Sequence, residues 1–241
     1  MAVGVADQVG WPQYFEMDGF LGLSWHYANQ DKPVQATFSE AIRPKLQSKI
    51  FAIDFPSSVY PEGGKVDLTF GYINSTKAAA GLRTAYIDPV KPKWTATGAQ
   101  FSISEDQVRV VDNSSKTWTQ NMNFGAWPLD VGTEVIQAYH SRVTGSQVTS
   151  RKSNGEPKSY NFPCNSPLPD LNVYFQGGGA GTWYGRQLSN NDPDANGHSD
   201  DPTAGNVGYL FFQNNYVVFD MDETKPRIQF APWNGTDDKV Y

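Results

Sequence analysis

Short apolar runs, each closed by turn residues, constrain this chain more than any other feature. The 241 residues carry 22 Gly and 16 Pro, and both residue types are costly inside helices or central strands but favoured in turns. Pro61-Glu62-Gly63-Gly64 separates an apolar run at 50–55 from another at 65–70, and Gly177-Gly178-Gly179 closes the run at 171–175. Further strand-like runs occupy 82–90, 94–103, 108–111, 209–212, 216–221 and 227–231, and an apolar stretch at 1–10 reads as a strand as well. Two segments keep helical spacing instead: Phe38, Ala41, Ile42 and Leu46 within 37–46, interrupted by Pro44, and Val135, Ala138, Tyr139 and Arg142 within 134–143. The polar stretches 150–160 and 189–205 read as a mobile loop and an exposed loop. This pattern predicts a mainly β fold, with packed antiparallel sheets and a few short helices.

Hydrophobic residues make up 39% of the chain, enough for a sizeable core. The net charge is −6 and no basic patch occurs, so no nucleic acid is expected as a partner. Cys164 is the single cysteine, and His26, His140 and His198 are far apart, so no internal disulfide, metal or cofactor is expected. No stretch is long and apolar enough to span a membrane. The first ten residues lack a basic n-region and an apolar core, so the chain as written is expected in the cytosol; as a fragment of a longer precursor it is expected to be secreted. Asn74, Asn113 and Asn234 open Asn-x-Ser/Thr sequons.

Several segments carry a resemblance through their order. Asp18-Gly19-Phe20-Leu21-Gly22-Leu23 comes first, followed by Leu68-Thr69-Phe70-Gly71-Tyr72-Ile73 and by the Trp94 to Ile103 strand. Next come Leu129-Asp130-Val131-Gly132-Thr133, Phe162-Pro163-Cys164 and Leu168-Pro169-Asp170-Leu171. Tyr216-Val217-Val218-Phe219-Asp220 and Ile228-Gln229-Phe230-Ala231-Pro232 complete the series. Together they resemble the pepsin-like aspartic peptidases, fungal members in particular. The resemblance implies the end of an N-terminal lobe over residues 1–26 and a C-terminal pepsin-like lobe over 27–241. It implies catalytic roles for Asp130, in the position of the family's second Asp-Thr-Gly-Thr, and for Thr133, whose counterpart donates to the aspartate.

The sequence departs from the family at several points. The family's first Asp-Thr-Gly and its flap lie upstream of the segment that Met1 to Leu23 resembles. A pepsin-type centre uses two carboxylates that share a proton, and this sequence offers one. Val131 stands where the family has a threonine whose hydroxyl ties the two catalytic loops together. Cys164 resembles a half-cystine without its partner, and Asn206 replaces an apolar residue before Val207-Gly208. Asp18, Asp170 and Asp220 fall in structural turns of the family, and His140 is expected in core or surface.

Asp130 is therefore open to two readings, a general acid or base and a carboxylate that only hydrogen-bonds its turn. Trp94, Trp118, Phe124 and Trp127 are candidates for substrate binding in the old cleft, with core packing as the other reading. The expected function is a peptidase homologue that does not cut peptides by itself and binds or transforms an apolar small molecule. The alternatives are an endopeptidase half, active as a homodimer or with a separate N-lobe chain on a peptide substrate, and an inactive binding module.

Overall fold

In a computed structural model the described residues are 21–24, 36–55, 66–91, 93–104, 118–124, 129–185, 188, 196–198, 204–222 and 224–232. The strand expected at 1–10, that at 108–111, and Asp18, His26, Trp127, Asn113 and Asn234 lie outside them, as does the boundary at 26/27. Among the described residues no helix is long and apolar enough to cross a membrane.

Two sheets form the body. The first has strands β1 (Ile50–Asp54), β2 (Asp67–Phe70), β3 (Arg83–Tyr86), β13 (Asn215–Asp220) and β14 (Arg227–Pro232), in the order β2-β1-β13-β14-β3 and antiparallel throughout. Every residue of β1 is buried. Phe51 and Ile53 point into the main core, and Ile50 and Ala52 join Tyr216, Val218 and Ala231 in a smaller cluster on the other face. Alternation here separates two apolar faces, which explains why Ile50 to Ile53 is apolar throughout.

The second sheet contains β4 (Thr95–Ile103), β5 (Trp118–Met122), β6 (Leu129–Val131), β9 (Leu171–Tyr174), β10 (Ala180–Trp183), β11 (Asn196–His198) and β12 (Ala204–Val207), in the order β10-β9-β4-β5-β12-β6-β11. Its pairings are antiparallel except β12 with β5 and β11 with β6, which are parallel. β4 is long enough to serve two partners, its first half pairing with β5 and its second with β9. The register shifts at Gly98, where φ is +65° and Gln176 lies against the backbone, so glycine permits the bulge. Stacked and edge-on rings fill the space between the sheets: Phe51 and Phe219 at 4.5 Å, Trp94 and Phe219 at 5.0 Å, Phe211 and Phe230 at 5.3 Å.

The helices are short. α1 (Phe38–Ile42) begins with a capping box in which Thr37 and Glu40 satisfy each other's backbone N–H groups. A 3-10 turn at Arg43–Lys45 follows, ending the helix at Pro44 as the sequence predicts. α2 (Thr133–His140) follows β6 directly.

Three expectations are corrected. Tyr209–Gln213 is a helix, α3, and not a strand. Leu210, Phe211, Phe212 and Gln213 are all buried, and a short run apolar on every side carries no period to tell helix from strand. The stretch 150–160 is not a loop: β7 (Gln147–Arg151) and β8 (Pro157–Asn161) form an antiparallel hairpin. β7 is exposed along its length, so no alternation marks it. Hydroxyl contacts of Thr149 and Ser150 with Ser159, and a Tyr160 ring stacked on His140 at 4.0 Å, hold the hairpin in place. Within 189–205, β11 and the start of β12 belong to the second sheet.

Candidate active site

β6 is three residues long, and its alternation sets the site. Leu129 and Val131 are buried and, with Val135, Ile136, Tyr139 and Leu171, line an apolar cavity of about 30 Å³. Asp130, between them, projects to the opposite face and is half-buried. Gly132 then caps α2, so the chain turns sharply after the aspartate.

Strand register places a polar row across the sheet at the level of Asp130. Asn206 on β12 pairs with Asp130, Asn121 on β5 pairs with Asn206, and Thr95 on β4 pairs with Asn121. Gly197 on β11 is the neighbour on the other side. Asn206 Nδ2 donates to Asp130 Oδ2 at 2.9 Å, Asn121 Nδ2 to Asn206 Oδ1 at 3.5 Å, and Thr95 Oγ1 to Asn121 Oδ1 at 2.6 Å. Each donor points toward the carboxylate. The row depends on close strand packing: a Cβ on Gly205 would lie 2.0 Å from the Asp130 backbone oxygen.

The residues proposed from sequence are placed as follows. Thr133 opens α2 and is buried; Asn206 donates a hydrogen bond to the Asp130 carboxylate. Trp94 lies inside, against Phe51 and Phe219, and donates Nε1–H to the Leu23 carbonyl at 2.7 Å. Trp118 packs on Phe101 in the interior. Phe124 is half-buried against Phe55 and Phe212. These three rings therefore support the two sheets, the reading that burial favours for large aromatics.

Asp170 accepts from the Gly185 backbone N–H, and Asp220 pairs with Arg227. His140 Nδ1 meets Ser146 Oγ, and Cys164 is an exposed free thiol. Burial, and then the Asp170 carboxylate, push the Tyr139 hydroxyl well above its ordinary range; it donates to the Pro169 carbonyl. Among the described residues no cluster of three His, Cys, Asp or Glu side chains could hold a metal ion. Asn121 and Thr95 are the site residues that the sequence did not single out. Their only local signal is polarity at alternate positions of otherwise buried strands.

The family model for eukaryotic aspartyl protease matches residues 2–233. The chain belongs to that family. Among its relatives are penicillopepsin-2 of Penicillium janthinellum, 27% identical over 227 residues, and aspergillopepsin-1 of Aspergillus oryzae, 27% identical over 226. The matches cover 89% of this chain but 52% and 51% of those proteins. An aspartic endopeptidase of Trichophyton verrucosum is similar at 27% over 236 residues, 89% of this chain and 54% of that one. The chain spans about half the length of the curated relatives it matches.

Proposed function

We propose that this chain is one half of an aspartic-peptidase centre, that Asp130 is its contributed carboxylate, and that the 241 residues alone do not hydrolyse peptides. The single observation that carries this reading is the chemistry of the row: among the described residues, the side chains that lead along it to Asp130 are two amides and a hydroxyl. None of these can share a proton with an aspartate as a second carboxylate does. No Asp-Thr-Gly occurs in the 241 residues. The second carboxylate would come from a second copy across a two-fold axis or from a separate stretch of N-lobe polypeptide.

The test is hydrolysis of an acid-peptidase peptide substrate at acid pH, with and without pepstatin, by the wild-type chain and Asp130→Asn, with sedimentation run in parallel. The expected result is no turnover by the monomer. Pepstatin-sensitive turnover by a strict monomer, lost in Asp130→Asn, would refute the half-site reading.

A second reading rests on Val131. It is buried in the lobe's own core and lines the small apolar cavity, so the hydroxyl that links the loops in the family has no counterpart. A lobe released from that link would use Asp130 as a lone acid or base on an apolar small molecule. Product profiles from candidate apolar substrates, compared between wild type and Asp130→Asn, decide this; identical profiles remove Asp130 from such chemistry.

A further inference from the structure

We propose a second binding site, on the first sheet and separate from Asp130, that takes the guanidinium group of a small molecule between Asp54 and Asp67.

The site follows from strand alternation. Phe51 and Ile53 of β1 face the main core, so Ile50, Ala52 and Asp54 face the other side. β2 is the edge strand of this sheet, and its register sets Asp67 directly opposite Asp54 and Thr69 opposite Ala52. Tyr216 of β13 belongs to the same face. The chain after β2 turns back over it: the Asn74 backbone N–H donates to the Tyr216 hydroxyl at 3.0 Å, and Ala78 and Leu82 pack on the small apolar cluster. Beside that turn lies a cavity of about 360 Å³, lined in part by Asp54, Asp67, Thr69, Tyr72 and Lys77, a volume that suits a small ligand.

The chemistry left unmet there is one-sided. Like charges directly opposite on an antiparallel pair are destabilising, yet Asp54 and Asp67 are so placed. Lys77 Nζ bonds Asp54 Oδ2 at 3.0 Å, which leaves these three groups one negative charge in excess. Asp54 is 6% exposed, and its Oδ1 is buried without a hydrogen-bond partner, as is Thr69 Oγ1. A buried carboxylate oxygen without a donor carries a desolvation cost. The Asp67 carboxylate is exposed and has no hydrogen-bond or ion-pair partner among the described residues. Two carboxylates and a hydroxyl oxygen therefore border one cavity with too few donors.

A guanidinium group supplies them. Its N–H donors lie in one plane and can serve two carboxylates and the Thr69 oxygen together, which the point charge of an ammonium does less well. Tyr72 lines the same cavity and is 56% exposed, so its ring offers a face on which the guanidinium plane stacks. The χ2 torsion of an aspartate and the four-carbon stem of a lysine are both soft, so small rotations turn Asp54 Oδ1 to an incoming donor while Lys77 stays paired.

The test is a titration of the isotope-labelled full chain with methylguanidinium, followed by backbone amide NMR shifts. Saturable shifts confined to the surroundings of residues 54, 67–69 and 72–77 are expected, with the millimolar affinity of so small a ligand. Methylurea, alike in shape but uncharged, is expected not to bind, and methylammonium to bind more weakly. Asp67→Asn is expected to weaken methylguanidinium binding about tenfold, the equivalent of one hydrogen bond to a charged group, and Thr69→Val, which keeps the shape and removes the oxygen, by a smaller factor. The proposal is overturned by an absence of saturable shifts, by shifts spread over the whole surface, by equal binding of methylurea or methylammonium, or by unchanged affinity in either variant. If one variant does not fold, the other and the two comparison ligands decide the matter. No readout involves Asp130, so failure here is distinct from failure of the half-site reading.

Discussion

Replacing Gly205 by alanine is expected to separate Asp130 from Asn206 without touching either side chain. Gly205 precedes Asn206 on β12, and its backbone lies outside the left-handed region, so alanine meets no conformational penalty there. The penalty is steric. The new Cβ would sit 2.0 Å from the Asp130 backbone oxygen, against roughly 3.3 Å for an ordinary carbon–oxygen contact. Relief requires β12 and β6 to part by about 1.3 Å. The 2.9 Å bond between Asn206 and Asp130 then stretches to about 4.2 Å, beyond hydrogen-bonding range.

Forcing extra volume into a packed site costs about 2 kcal/mol, and losing a hydrogen bond to a charged group about 2 more, giving a total of about 4 kcal/mol. Gly81→Ala is the matched comparison. Gly81 has φ +85° and open space around its Cβ position, so only left-handed strain applies, about 1 kcal/mol. Urea unfolding followed by tryptophan fluorescence measures both. If Gly205→Ala costs no more than Gly81→Ala, the close packing of β12 on β6 is not what holds the row, and the reasoning fails.

Two further outcomes are open to direct measurement. The fold keeps Tyr139 neutral above its ordinary value of 10.0, so its contribution to stability is full below pH 10 and falls as pH rises beyond it; Tyr139→Phe is expected to lessen that alkaline decline and, through the lost bond to the Pro169 carbonyl, to cost about 1 kcal/mol near neutrality. An equally steep decline in the variant would show that Tyr139 does not titrate as described. Cys164, exposed and unbridged, is expected to react with a thiol reagent in the native protein at one equivalent per chain, and a thiol that reacts only after unfolding would contradict its placement.

Much of the fold was legible because its signals are local. β1, β13 and β14 follow from apolar and β-branched runs bounded by turn residues. α1 and the turn after it follow from helical spacing and from Pro44. The errors fall where local pattern carries no information. α3 is apolar on every side, and its helical state comes from being enclosed by aromatic neighbours such as Trp183, Phe219 and Phe230. β7 is exposed along its length, and the β7–β8 hairpin is held by its own ladder and by Tyr160 on His140. Trp94 and Trp118 could be assigned to core or cleft only once the two sheets were set against each other.

By itself the sequence determined that the chain is mainly β and that an aspartate sits at a Gly-containing turn between a short strand and a helix. Those features rest on side-chain period and backbone preference within a few residues. Only the tertiary structure decided what surrounds Asp130. Asn206 lies 76 positions from Asp130 in sequence and 85 from Asn121. Parallel and antiparallel neighbours alternate around β12, and no local pattern specifies that order. The register of four strands, fixed by the packing of their buried faces, turns separate polar residues into one row ending on a carboxylate.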